Sequence, residues 1–151
     1  MTPNKACAIV LRTQGAHQEI LAFRHPHGDC QFVKGSIEAG ELASEAAVRE
    51  LWEEAGIAHA LHSRDLGVWD ADYKSQVWSI HLLEVESPLP DQWSHTNQDN
   101  GKQIFHFFWQ PLDQAAGADW RPVYARALGH VASALRATAG QKQTQSAPQR
   151  R

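Results

Sequence analysis

The sequence predicts an α/β sandwich, and three observations carry the prediction. Short β-leaning apolar runs, one strongly patterned helix, more strand-like runs and a closing helix follow one another along the chain, the order expected of packed sheet and helix layers. The 151 residues are 42% hydrophobic and include six tryptophans, enough apolar surface for one buried core. Gly, Pro and polar clusters separate the runs, and no segment repeats.

In order, "KACAIVLR" (residues 5 to 12) and "QEILAF" (18 to 23) are short β-type runs around the turn glycine of "TQGAH", which predicts a hairpin. "RHPHGD" is a loop punctuated by Pro26 and Gly28, and "CQFV" (30 to 33) is a short strand leading into "KGSIEAGE". Leu42 to Ala55 repeats apolar residues at helical spacing, and Gly56 stands where a left-handed C-cap belongs. "LHSRDLGVWDA" and "SQVWSIHLLEV" predict strands, and "SPLPDQWSHTNQDNG" a long polar loop. "KQIFHFFW" is a strand, "PLDQAA" a helical turn, and "RPVYARALGHVASALRA" the closing helix. One domain over residues 1–138 is expected, followed by a polar, disordered tail at 139–151.

The net charge of −3 and pI near 6.3 lack the basic excess of a nucleic-acid binder, so no stable nucleic-acid partner is expected; a nucleotide substrate stays open. The N-terminal "MTPNKACAIVLR" has no apolar signal core, and no stretch has the length of a membrane span. The expectation is a cytoplasmic protein without a membrane partner. Its two cysteines, Cys7 and Cys30, form no CxxC and read as small core residues. Nothing in the composition sets an oligomeric state.

The stretch "RELWEEAGI" poses a physical problem. Glu50, Glu53 and Glu54 crowd one sector of the helix, roughly 100° wide at about 100° per residue. Like charges at this spacing cost about 0.2–0.5 kcal/mol per pair. A solvated face would interleave lysines, and none is present. The wheel puts Val48, Leu51, Trp52 and Ala55 toward a core, and Ala43, Ala46 and Ala47 as a small floor beside the acids. Clustered carboxylates suit a hard divalent cation, Mg²⁺ first and Mn²⁺ as its substitute, which shares its shell with water and substrate phosphates. The helix alone leaves a surface acidic patch as the alternative.

The residues upstream extend the pattern. "GSIEAGELASEAAVRELWEEAGI" runs from Gly35 through Glu41, Arg49-Glu50, Leu51, Glu53-Glu54 and Gly56 to Ile57. Across all nine specified positions it resembles the Nudix box. The flanking strands and closing helix, roughly residues 5 to 138, are similar to the Nudix layout. The resemblance implies a Nudix-type α/β/α sandwich with a mixed β-sheet. It also implies a Mg²⁺-dependent hydrolase of nucleoside diphosphate derivatives, with a nucleotide-type small molecule as partner. Carried over, Glu50, Glu53 and Glu54 ligate metal, with the Gly35 region close by. Glu41 orients the cluster, Arg49 holds the glutamates by hydrogen bonds, and Gly40 allows the turn into the helix. A catalytic base lies either among the box acids or at Glu84, Glu86, Asp91 or Asp99. A binding or sensor module of the same fold is the alternative; it would be marked by loss of box acids, and none is lost.

Other features carry less. Lys34 stands before the box glycine, where the "VKG" turn partly resembles the Pro-Lys-Gly of diadenosine polyphosphate hydrolases; it is a phosphate-holding candidate or a plain loop lysine. Trp93 and Trp120 are candidates to stack on a nucleobase, while Trp69, Trp78 and Trp109 read as core. Tyr124 and Arg126, at the start of the last helix, are candidates for contact with a base or phosphate. His25 and His27 form either a zinc pair or an ordinary loop, and His81, His95 and His106 are pocket candidates.

Overall fold

A computed structural model describes residues 1–97 and 101–146, with side chains through 137. Eleven elements follow one another: β1 (Lys5–Ile9), β2 (Leu11–Gln14), β3 (His17–Arg24), β4 (Cys30–Gln31), β5 (Lys34–Ser36), α1 (Ala43–Ala55), β6 (Leu61–Asp70), β7 (Val77–Glu84), β8 (Trp93–Asn97), β9 (Gln103–Pro111) and α2 (Pro122–Ser146). One sheet is mixed, in the order β5-β1-β7-β6, with β1 and β7 parallel. The other is antiparallel, β2-β3-β9-β8, with β4 on β3.

Strand periodicity sets the layers. On β1, Ala6 and Ala8 enter one core with Leu51 and Ala55 of α1; Cys7 and Ile9 enter a second with Tyr124, Leu128 and Val131 of α2. On β3, Leu21 and Phe23 join the first core, Ile20 and Ala22 the second. Both sheets are thus covered by α1 on one face and α2 on the other, which is the α/β/α sandwich the sequence predicted. Both cysteines are free and buried. No helix among the described residues is long and apolar enough to cross a membrane.

Four expectations are corrected. The run 5 to 12 is two strands, because the chain changes sheets at Val10: β1 pairs with β5 and β7, and only β2 forms the hairpin with β3. The polar loop from Ser87 contains β8, paired along β9 from Trp93↔Phe107 to Asn97↔Gln103. The stacking of Trp93 on Phe107, with ring centroids 5.1 Å apart, holds a strand that its polar residues conceal. The tail expected to be disordered begins as helix, since α2 continues to Ser146; residues 147–151 and Asp99 lie outside the described residues. Trp52, expected in the core, is 56% exposed.

Candidate metal and phosphate site

Helix α1 is rotated relative to the wheel. Its buried stripe is Ala46, Ala47, Glu50, Leu51, Glu54 and Ala55, an i, i+4, i+8 pattern that includes two of the acids. Ala46 and Ala47 are fully buried; they are the contact that lets the helix approach the sheet and not an open floor. The wheel set the carboxylates opposite the core. Here the fold supplies partners instead, and Trp52 takes the solvent side. At the N-terminus, the Glu45 carboxylate accepts the Leu42 N–H (2.9 Å), half of a capping box.

Arg49 is the hub. Nε and Nη2 bind Glu41 as a fork at 2.7 and 2.9 Å. Nη1 donates to Glu50 (2.9 Å) and Glu53 (3.1 Å), and Nη2 also to the Ser36 carbonyl (2.8 Å). One guanidinium therefore ties the box loop to the helix, the geometry for which arginine is suited. The fork and the Glu38 N–H hold the Glu41 carboxyl down, to about 2. Among the described residues no three His, Cys, Asp or Glu side chains already converge as a metal-binding group, because Glu41, Glu50 and Glu53 gather on Arg49.

Glu50 and Glu54 lie deeper, 9% and 7% exposed. Burial, then a hydrogen bond to Glu50 and the charge of Glu50, push the Glu54 carboxyl well above its usual range, opposed by Lys34. The Glu54 carboxyl thus favours its protonated form beside Glu50. Gly35 makes room for the pair: a methyl group there would collide with the Glu50 carboxylate. This is the donor set a Mg²⁺ ion fits, hard oxygens beside close-approaching backbone, with a proton held where a cation's charge would replace it.

The other predicted residues are dispersed. The Lys34 ammonium turns to the α2 side, 3.0 Å from the Gln76 side-chain oxygen and over the rings of Trp78 (4.8 Å) and Tyr124 (5.3 Å); burial lowers its pKa to about 8. Its amine is engaged inside the fold, while its backbone N–H reaches Glu54. Gln76, which also accepts the Trp78 N–H, gave no signal in the sequence. Tyr124 is 4% exposed and packed on Phe32 and Trp78, so the predicted substrate contact is replaced by a core role. Trp120 is buried against Phe32, and Arg126 lies over Trp69. Trp93 packs on Phe107 and donates its N–H to the Ala55 carbonyl (3.0 Å), which uses one ring face and its one donor. The rings of His25 and His27 stack 4.8 Å apart in an ordinary loop. His81 joins Ser79 and His62, His106 joins Ser94, and His95 sits at the end of α1, so the three do not share a pocket. Of the outlying base candidates, Asp91 is tied to Arg12 at 2.7 Å and Glu84 lies 3.3 Å from Ser63.

Comparison with known proteins places the chain in a family. The NUDIX domain model matches residues 1–129. An RNA pyrophosphohydrolase of Psychrobacter sp. (strain PRwf-1) is 31% identical over 146 residues, covering 84% of this chain and 82% of its own. Its counterpart in Psychrobacter cryohalolentis matches to the same extent. Among solved structures, an ADP-ribose pyrophosphatase from Streptococcus suis superimposes with a TM-score of 0.63 at 18% identity, over 89% of this chain and 93% of the other. A C. elegans Ap4A hydrolase gives 0.59 at 21%, over 90% and 98%; at such identities the likeness is one of fold. With an unbroken Gly35–Ile57 box, α/β/α layers and a family model spanning most of its length, the chain belongs to the NUDIX domain family.

Proposed function

We propose that this chain is a Mg²⁺-dependent pyrophosphohydrolase, a cytoplasmic enzyme with its catalytic domain in residues 1–138, that cleaves the diphosphate linkage of nucleoside diphosphate derivatives. Nucleoside triphosphates and dinucleoside polyphosphates are its substrate class. The observation that carries this is the buried Glu50–Glu54 pair lying against Gly35 and tied through Glu50 to Arg49. Glu50, Glu53 and Glu54 would hold the ion, with the Gly35 backbone beside them; Mn²⁺ would serve in its place. Bound there, the ion supplies neutralisation of phosphate oxygens and a lower pKa for a water. The chain's own part is positional. Arg49 fixes Glu41, Glu50 and Glu53 in one array, and the Lys34 backbone N–H and nearby charge favour ionised Glu54. A Glu54 relieved of its proton would also serve to accept one from the attacking water.

The names of the Psychrobacter relatives favour a second substrate, the 5′-phosphorylated end of RNA. One experiment separates them: nucleoside triphosphates, a dinucleoside polyphosphate and a 5′-triphosphorylated oligonucleotide are incubated with Mg²⁺ and the products weighed. Cleavage within a diphosphate linkage is expected, fastest on the small nucleotides. Preference for the oligonucleotide would select the second substrate. No product from any of them would overturn the enzyme reading and leave the sensor module.

A further inference from the structure

The C-terminal turn of α1 carries Glu53 and Glu54, and an α-helix leaves its last carbonyls without partners of its own. No basic residue stands in that turn, which leaves its local capping to Gly56. Strand β8 supplies what is missing. Trp93 and His95 are two apart and project from the same face of the strand. The Trp93 indole N–H donates to the Ala55 carbonyl at 3.0 Å, and His95 Nε2 donates to the Glu53 carbonyl at 3.2 Å. Gly56 closes the remaining gap: its φ of 76° is left-handed, and its N–H donates to the Trp52 carbonyl at 3.0 Å. A methyl group on Gly56 would lie 2.7 Å from His95 Nδ1, so the box glycine is also the seat of the His95 ring. Behind the pair, Trp93 stacks on Phe107, and His95 stands in register with Phe105. Both phenylalanines belong to the core under α1.

We infer that Trp93 and His95 are positioning residues for metal binding: they clamp the end of α1 to β8 and so fix the backbone from which Glu53 and Glu54 reach the ion. The inference rests on the metal site proposed above and assigns Trp93 a duty different from base stacking. A helix end held at two carbonyls presents its carboxylates in one geometry; a frayed end must be ordered each time metal binds, which weakens affinity.

The test is Mn²⁺ binding to the full chain, read from the electron paramagnetic resonance signal of free Mn²⁺, which is independent of turnover. Trp93→Phe keeps an aromatic ring on Phe107 and removes the donor. His95→Ala removes the second donor, and His95→Gln restores one. Trp93→Phe and His95→Ala are each expected to raise the Mn²⁺ dissociation constant about three- to ten-fold, the worth of one lost hydrogen bond. His95→Gln stays within twofold of wild type, and kcat at saturating metal moves less than the metal half-saturation does. Wild-type Mn²⁺ affinity in both Trp93→Phe and His95→Ala, whatever their melting temperatures, overturns the clamp alone. If His95→Ala fails to fold, Trp93→Phe decides the matter. Absence of Mn²⁺ binding by the unaltered chain overturns the metal site, and the clamp with it.

Discussion

At the scale of single residues, the site's design shows in what it costs the metal-free protein. Glu54 is buried against Glu50 and holds a proton well above the usual carboxylate range. Its folded pKa is raised, so the folded state binds the proton more tightly than the unfolded chain does. The stability this gives is present below the unfolded value near ~4.3 and is lost as pH rises through the folded value. Glu54→Gln removes that loss. Without metal at slightly alkaline pH, its melting temperature should exceed wild type by about 2–4 °C for each kcal/mol relieved, while added Mg²⁺ no longer stabilises it and turnover nearly vanishes. A thermal melt with and without Mg²⁺ checks all three; a Glu54→Gln protein that still gains stability from Mg²⁺ and still turns over contradicts the ligand role. Gly35→Ala acts on the partner. The methyl displaces only the end of the flexible Glu50 side chain, so the fold survives with a modest loss of stability. The carboxyl geometry is spoiled, and Mg²⁺ half-saturation should rise by at least about 10-fold, the loss typical of disturbed metal surroundings. Activity titrations against Mg²⁺ read this directly.

At the scale of elements, α1 shows how far the sequence could be read. The box spacing singled out Glu41, Arg49, Glu50, Glu53, Glu54 and both flanking glycines as one candidate site, because the proposed chemistry needs fixed residue types at fixed intervals. The helix's rotation was not legible: a wheel scores carboxylates as outward, and it takes Gly35, the Lys34 backbone and Arg49 to make Glu50 and Glu54 inward residues. The exchange of faces has a consequence for stability. Leu51→Ala, at a fully buried position, should cost about 2–5 kcal/mol, whereas Trp52→Ala at a 56% exposed one should cost less than about 1 kcal/mol. Chemical denaturation of the two variants separates the faces; a larger loss from Trp52→Ala would restore the orientation given by the wheel. The loop and helix are also joined electrostatically. Glu41 is depressed to about 2 by Arg49, so its stabilisation is complete above the unfolded value near ~4.3 and is lost as pH falls toward 2. Glu41→Gln should flatten the acid side of the stability profile in that window, measured by melting at a series of pH values. An unchanged acid limb would mean that the Arg49–Glu41 fork contributes nothing to holding the loop.

At the scale of the whole molecule, the strand-helix-strand-helix order was enough for the α/β/α layers, because alternation within β1 and β3 feeds two cores and each core needs a helix. The change of sheet at Val10 and the strand hidden in the polar Trp93–Asn97 segment were not legible. Both are set by pairings distant in sequence, β1 with β7 and β8 with β9, and local composition is silent about those. The same long-range pairing brings β8 to the end of α1, so the fold joins the helix of the box to a strand some forty residues away. Everything functional in this arrangement depends on one claim, that protons and a divalent cation compete for the Glu50–Glu54 carboxyls. Rate against pH at several fixed Mg²⁺ concentrations measures that competition. Metal binding must displace the Glu54 proton, so affinity rises with pH. The acid limb of turnover at sub-saturating Mg²⁺ should therefore shift to lower pH as Mg²⁺ is raised. An acid limb near pH ~6.5 that stays in place at every Mg²⁺ concentration is the signature of a histidine acting alone and would contradict the carboxylate–metal site.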